Sequence, residues 1–277
     1  MQVHYNNAAG KSNGANAEGV LGGVDFTTTY DAFPRTSAMF SIPAGLAIDA
    51  TGTLWVVDSS LRRILRFDNA AGKSNGAGAD AVLGQPDFET SDTVTPPTAA
   101  SLREPVSATV DGNGTLWVSD LDNGRVLGFA NAATLGNAAG ASIVLGQANF
   151  VSSAGLATSA RSIGGPEQIA VDSQNRLFIT DGNASRVLRF SPVVSLSAPA
   201  TVKAVRGKAT IRGTSINATI VEFQIVGKGA YKRAGGSPSS WTAAVRGLKR
   251  PTTTVNVRAS SNDGQTALRA VKVKNKK

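Results

Sequence analysis

The chain has 277 residues, 41% of them hydrophobic and 17% charged. That is enough for one large domain or two smaller ones, and it excludes a chain disordered throughout. It contains no cysteine, which excludes disulfides, thiolate zinc sites, iron–sulfur clusters and a cysteine nucleophile. No apolar run approaches the about 18 residues of a membrane-spanning helix, and the opening MQVHYNNAAGK shows no apolar signal core. The formal charge of +9 is unevenly placed: residues 1–195 carry 12 Lys/Arg against 17 Asp/Glu, and residues 196–277 carry 16 against 2. So sharp a split predicts two domains with different surfaces, the second suited to an anionic partner.

In chain order the dominant signal is a repeat. PAGLAIDATGTLWVVDSSLRRILRF from Pro43, PVSATVDGNGTLWVSDLDNGRVLGF from Pro105 and PEQIAVDSQNRLFITDGNASRVLRF from Pro166 align without gaps. Asp58, Asp120 and Asp181 recur at spacings of 62 and 61, as do Arg63, Arg125 and Arg186. A second motif keeps the period: GVLGGVDF ends at Phe26, AVLGQPDF at Phe88 and IVLGQANF at Phe150. Within a unit, Leu46, Ile48, Leu54 and Val56 alternate around the turn DATG. Trp117-Val118 and Phe178-Ile179 stand where Trp55-Val56 stand, and such bulky pairs favour strands. DATG, DGNG and DSQN suit tight turns. VLG supplies a fourth short strand, and four antiparallel strands per repeat make a β-propeller blade. Stretches such as NAAGKSNGAGAD read as surface loops.

WVVDSSLRRILRF, WVSDLDNGRVLGF and FITDGNASRVLRF resemble the NHL repeat, whose core reads Asp, two spacers, Asn, one spacer, Arg, then an apolar strand. The middle copy fits best, with Asp120, Asn123 and Arg125; the others place Leu61 and Ala184 at the Asn position. The VLGQ insertion makes each unit longer than a typical NHL repeat and looks like a bacterial subtype. The resemblance covers roughly residues 1–192 and implies a propeller, generally of about six blades. Some NHL-related propellers are enzymes, among them zinc-dependent amidating lyases, lactonases and streptogramin lyases, but no residue here carries over to their sites.

YNNAAGKSNG at Tyr5 matches FDNAAGKSNG at Phe67. The expected strand count is therefore two leading strands, two full blades, and a third blade without its outer strand, too few for a ring. Three readings account for this: a fragment or misassigned start, a ring built from several copies, or an open arc capped by the second domain.

Residues 193–200 read as a Ser/Pro/Ala linker. Beyond it, TVKAV, KATIRGTSI, TIVEFQIV, AYKRAG, SWTAAVRGL, TTVNVRASS and ALRAVKVK read as seven short strands, an antiparallel β-sandwich over 201–277. ATIRGTSIN, SWTAAVRGL and TTVNVRASSNDGQTA resemble bacterial immunoglobulin-like modules appended to exported proteins. Phe223, Trp241, Leu248 and Val257 are its predicted core. The expected fold class is all-β, a partial, about three-bladed NHL-type propeller followed by an immunoglobulin-like sandwich.

Catalysis needs an asymmetric cluster, whereas a residue present once per blade serves the blade. Asp58, Asp120 and Asp181 are therefore expected to cap turns and pair with Arg63, Arg125 and Arg186. Trp55, Trp117 and Phe178 are expected in the core. His4 is the only histidine, which excludes a multi-histidine zinc site within this sequence. GKS at Gly10 and Gly72 lacks the earlier glycine of a phosphate loop, since Tyr5 and Phe67 stand there. No catalytic, cofactor-binding or metal-ligating residue is assigned. A candidate patch for an anionic partner comprises Lys228, Lys232, Arg233, Lys249 and Arg250. Nucleic acid is disfavoured as that partner, because aromatic residues for base stacking are few. The expected function is a non-catalytic scaffold at the cell envelope or exterior, binding a protein or carbohydrate partner or an anionic surface polymer. The alternatives are a fragment of a propeller lyase or hydrolase, and nucleic-acid binding through the basic domain.

Overall fold

The computed structural model describes residues 2–4, 10–28, 35–153, 155, 158–191, 195–216, 218–248, 251–260 and 266–275. The chain divides into two compact units, Met1–Phe190 and Ser191–Lys277.

In the first unit, β1 (Gln2–His4) and β2 (Gly19–Leu21) form a two-stranded antiparallel sheet. A four-stranded sheet follows, of β3 (Pro43–Ile48), β4 (Leu54–Asp58), β5 (Arg63–Phe67) and β6 (Ala81–Leu83), paired in chain order. The next blade repeats it with β7 (Pro105–Val110), β8 (Leu116–Asp120), β9 (Arg125–Phe129) and β10 (Ile143–Leu145). A three-stranded sheet of β11 (Pro166–Val171), β12 (Leu177–Asp181) and β13 (Arg186–Phe190) ends the unit. These are propeller blades, and the count of strands per sheet matches the count read from the repeat.

Local chemistry accounts for each element. A proline opens every inner strand, at Pro43, Pro105 and Pro166, where a missing N–H costs no ladder bond. Asp49, Asp111 and Asp172 shape the first hairpin. Each Oδ1 accepts a backbone N–H two residues on (Thr51, Asn113, Gln174, all 2.9 Å) and another four residues on (Thr53 3.0 Å, Thr115 3.0 Å, Arg176 2.9 Å). Such side-chain-to-backbone bonds hold a turn that the strands alone would not close.

The apolar core lies between blades. Ala47, Trp55, Val57 and Ile64 of one blade cluster with Ala108, Leu116 and Val118 of the next. Val126 then clusters with Ile163, Ile169, Leu177 and Ile179. Leu21 of β2 joins Val56, Leu65, Phe67 and Val82. Each blade thus needs a neighbour to bury its faces.

The glycine of the VLG motif sets the spacing between blades. Gly22, Gly84 and Gly146 have φ of +80°, +89° and +88°, and Phe40, Leu102 and Ile163 of the following blade press on them. A Cβ on Gly84 would lie 2.6 Å from Leu102 Cδ1 and 2.7 Å from the Arg62 carbonyl oxygen.

The second unit has two sheets. One runs β14 (Ser195–Ser197), β16 (Lys208–Ile216), β20 (Ser240–Arg246) and β19 (Gly235–Ser237). The other runs β15 (Thr201–Ala204), β22 (Thr266–Asn275), β21 (Thr252–Ser260), β17 (Ile220–Ile225) and β18 (Lys228–Arg233). Ile211, Trp241, Ala243 and Val245 of the first pack with Phe223, Val255, Val257, Val271 and Val273 of the second, and Leu248 lies in the same core, so the unit is a two-layer sandwich. Three features differ from the sequence reading. Gly235–Ser237, not read as a strand of its own, pairs with Ser240–Thr242 as β19. Ser195–Ser197, inside the stretch read as linker, pairs with Thr214–Ile216 as β14. The β15–β22 pair is parallel, whereas the other strand pairs of the unit are antiparallel.

Gly84→Ala is expected to lower stability by about 2–3 kcal/mol, combining the left-handed backbone with the clash. Gly52→Ala, at φ +85° with nothing within 4 Å of an added Cβ, should cost only about 1 kcal/mol. Urea unfolding of the two variants measures the difference.

Candidate functional site

The recurring carboxylates are the sequence's strongest chemical feature, and all three are fully buried. Asp120 ends β8. Its Oδ1 accepts the backbone N–H groups of Arg103 (2.9 Å) and Glu104 (3.2 Å), and its Oδ2 accepts Asn123 Nδ2 (2.8 Å) and Arg125 Nε (2.9 Å). Arg125 carries the contact onward: Nη2 donates to the Ser101 carbonyl (2.8 Å) and Nη1 to the Phe150 carbonyl (2.6 Å). Ser101 precedes the inner strand and Phe150 follows the outer one, so a single ion pair joins both edges of a blade that share no ladder.

Asp58 repeats this arrangement. Its Oδ1 accepts the N–H groups of Ser41 (3.0 Å) and Ile42 (3.1 Å), and its Oδ2 accepts Arg63 Nε (3.1 Å). Arg63 donates to the Met39 carbonyl (2.7 Å) and to that of Phe88. Burial pushes the Arg63 guanidinium below its ordinary value, and Asp58 pulls it back up. In the third blade Asp181 accepts Gly164 and Gly165 N–H (both 3.0 Å) and Arg186 Nε (2.9 Å), while Arg186 Nη2 reaches the Ser162 carbonyl (2.7 Å). Here the arginine side chain is 24% exposed, against 0% in the other two blades. Asn123 matters only in the middle blade, because Leu61 and Ala184 stand at its equivalents.

The aromatic trio occupies one strand position without forming a stacking surface. Trp55 is buried between blades. Trp117 is partly buried and donates its Nε1 to Asp111 Oδ2 (3.0 Å). Phe178 lies under the Arg176 guanidinium, 5.9 Å from its ring centroid.

Lys228, Lys232 and Arg233 are exposed on β18, the edge strand of the five-stranded sheet; Lys249 and Arg250 lie outside the described residues. The cations are spread over both outer faces of the sandwich. Cross-strand register puts Lys203 beside Lys274, and Arg233 and Arg258 on either side of Glu222. On the other sheet Lys208 lies opposite Arg246. Arg258 also covers the Tyr231 ring at 4.3 Å and pairs with Glu222 at 2.7 Å.

Two features escaped the sequence reading. After each VLG strand an Asx turn recurs at Asp25, Asp87 and Asn149: each Oδ1 accepts backbone N–H groups two and three residues on. Bonds from Thr28 and Thr27 lower the Asp25 carboxyl to about 2. In addition, Asn75 and Asn137, in loops read as featureless surface, clasp the preceding blade. Asn75 Oδ1 accepts Val20 N–H (3.1 Å) and Asn137 Oδ1 accepts Val82 N–H (3.0 Å). Their recurrence at the 62-residue period was the signal that could have found them. A cavity of about 520 Å³, lined by Val144, Leu145, Gly146, Gln147, Arg161 and Phe190 among others, lies where β10 meets the last blade. Among the described residues, no group of three or more His, Cys, Asp and Glu side chains could share a metal ion, and no helix is long and apolar enough to cross a membrane.

Asp120→Ala strands a buried guanidinium and is expected to cost about 3–5 kcal/mol. Asp181→Ala should cost less, because water reaches Arg186; thermal unfolding ranks the two. The depressed Asp25 carboxyl adds stability that is complete above the ordinary carboxylate value, about 3.9. That stability is lost as pH falls through about 2. Carboxyl-selective NMR titration should place its midpoint there, and a midpoint near the ordinary value would remove the turn's role.

No model of a known protein family matches the sequence, and no curated protein matches it. Among solved structures, virginiamycin B lyase from Staphylococcus aureus is 12% identical over 85% of this chain and 72% of its own, with a TM-score of 0.32. A luciferin-regenerating enzyme is 17% identical over 56% of this chain and 46% of its own, at 0.33. The extracellular domain of BT4673 from B. thetaiotaomicron is 8% identical over 84% and 44%, at 0.29. The chain spans only 20% and 44% of the first two solved chains it matches. At such scores these likenesses carry no argument about this chain, whose fold is read from its own sheets.

Proposed function

We propose that the chain is a non-catalytic NHL-type propeller scaffold with an immunoglobulin-like accessory domain, acting at the cell envelope or exterior. It would present its blade-edge loops to a protein or carbohydrate partner. One observation carries this reading: Asp58, Asp120 and Asp181, the recurring carboxylates that could have done chemistry, are buried and hold main-chain groups of their own blades. A fully buried carboxylate whose oxygens are taken by two backbone N–H groups and an arginine is out of hydrogen-bond reach of a substrate proton. Function on such a scaffold resides in loops held by rigid blades. The purified full chain is expected to leave a panel of lactones and cyclic peptides intact; turnover of any of them, lost on mutating a loop residue, would replace this reading with a lyase or hydrolase.

The basic sandwich supports an electrostatic contact with an anionic surface polymer. Lys203 and Lys274 are neighbours on one outer sheet face, with Lys272 one row along. Retention of the full chain on a polyphosphate column should fall steeply with salt, and K203E/K272E/K274E should elute at markedly lower salt. Equal retention of that triple variant would show that this face is merely solvated.

A further inference from the structure

Two loops of the first unit sit in seats whose contacts repeat. Asn75 Oδ1 accepts Val20 N–H (3.1 Å), Gly76 N–H donates to the Val20 carbonyl (3.2 Å) and Ala79 N–H donates to the Ser37 carbonyl (2.9 Å). One period on, Asn137 Oδ1 accepts Val82 N–H (3.0 Å), Ala138 N–H donates to the Val82 carbonyl (3.1 Å) and Ala141 N–H donates to the Ala99 carbonyl (2.8 Å). The floors are alike too. Ala77 and Ala79 pack with Leu21, Phe40 and Phe67, and Ala139 and Ala141 with Leu83, Leu102 and Phe129. Only small residues fit there: a Cβ on Gly78 would lie 2.5 Å from Ser37 Oγ, and one on Gly140 would touch the Ala99 Cβ at 3.4 Å.

A third seat of the same kind is open. Val144 holds the register against Leu127 of β9 that Val82 holds against Leu65 of β5, so its N–H and C=O face the outer edge of the blade. Among the described residues no loop clasps them, nor the carbonyl of Ala160, the counterpart of Ser37 and Ala99. The floor is uncovered as well: Phe67 and Phe129 are fully buried, whereas their counterpart Phe190 is half-buried, as is Leu145. Where a loop would lie stands the cavity of about 520 Å³, bordered by Val144, Leu145, Ala160, Arg161 and Phe190, within the roughly 300–1,000 Å³ of ligand sites. The residue one period after Asn137 is Ala198, which is committed to the core of the second unit. The seat is made entirely of residues 144–190. Arg161 sets it apart, since Ala38 and Ala100 stand at the equivalent positions; a cation borders this seat where the other two have a methyl group.

We propose that this seat binds a partner protein through an extended segment in which an Asn is followed by four small residues and then an acidic one. The Asn Oδ1 accepts Val144 N–H, the next N–H donates to the Val144 carbonyl, and the N–H of the last small residue donates to the Ala160 carbonyl. The small side chains fill the cavity over Leu145 and Phe190, and the carboxylate pairs with Arg161. Asn75 to Asp80 have this pattern in the first seat, where Asp80 follows Ala79. Main-chain bonds at an open strand edge supply affinity, and the pocket and the cation supply selectivity. The site is separate from the blade-edge loops and stands whether or not those loops bind a partner.

The probe is a fluorescein-labelled peptide with the sequence of residues 75–80, NGAGAD, titrated against the full chain by fluorescence anisotropy. Saturable binding is expected below about 1 mM. The peptide AGAGAD offers Val144 N–H no acceptor and should bind about tenfold more weakly. Arg161→Glu alters an exposed side chain, so this variant should keep the unfolding temperature of the wild type. It should bind NGAGAD about fivefold more weakly and prefer NGAGAK, the reverse of the wild type. Val94→Asp, exposed but outside the seat, should bind as the wild type does. Absence of saturable binding, equal binding of AGAGAD, or indifference of Arg161→Glu to the charge of the peptide would each overturn the proposal. So would a chain that runs as a dimer which the peptide fails to dissociate, because a second copy would then hold the seat.

Discussion

One buried ion pair per blade organises the first unit. A carboxylate and a guanidinium removed from water gain nothing by mutual attraction alone, since desolvation is of the same size. What makes the pair tolerable is that most of its remaining hydrogen bonds go to main-chain groups that would otherwise be unsatisfied, with Asn123 Nδ2 added in the middle blade. Asp120 takes two N–H groups at the entry to the inner strand, and Arg125 takes carbonyls from both edges of the blade. The pair therefore acts as a clasp between strands that never touch, and it does so at the same residues in every blade because the chain geometry requires it there.

The same construction creates the unit's liabilities. Interblade packing is the apolar core, so wherever the series of blades stops, one face of that core lies open. Leu46, Ile48 and Val187 are exposed, whereas their equivalents Ala108, Val110 and Val126 pack against a neighbouring blade. The half-buried Arg186 is the polar counterpart. Its blade offers every contact that Arg125 enjoys except the one supplied by an outer strand. The buried carboxylates, by contrast, are held by main-chain groups of their own blades and serve the fold.

Much of this was legible in the residues. The 62-residue period located the blades, and alternation with Asp-led turns located their strands. Recurrence at Asp58, Asp120 and Asp181 set these residues apart as blade positions, and each lies against its arginine. The missed elements were short or relational. Ser195–Ser197 reads as linker because three small polar residues carry no periodicity, and they become a strand only because β16 offers an edge. Asn75 and Asn137 look like loop polarity, and their role exists only relative to a strand 55 residues earlier. Lys228, Lys232, Arg233, Lys249 and Arg250 read as one candidate patch, but strand register spreads the domain's basic residues over two sheet faces.

By itself the sequence determined the all-β class, the number of strands in each repeat and the partnership of Asp with Arg, because these follow from local periodicity and from residue types at a constant spacing. Tertiary structure alone decided which copies of a repeated residue are buried and which are exposed. Identical residues at equivalent positions differ only in having a neighbouring blade or lacking one, and that is a property of packing, which no window along the chain contains.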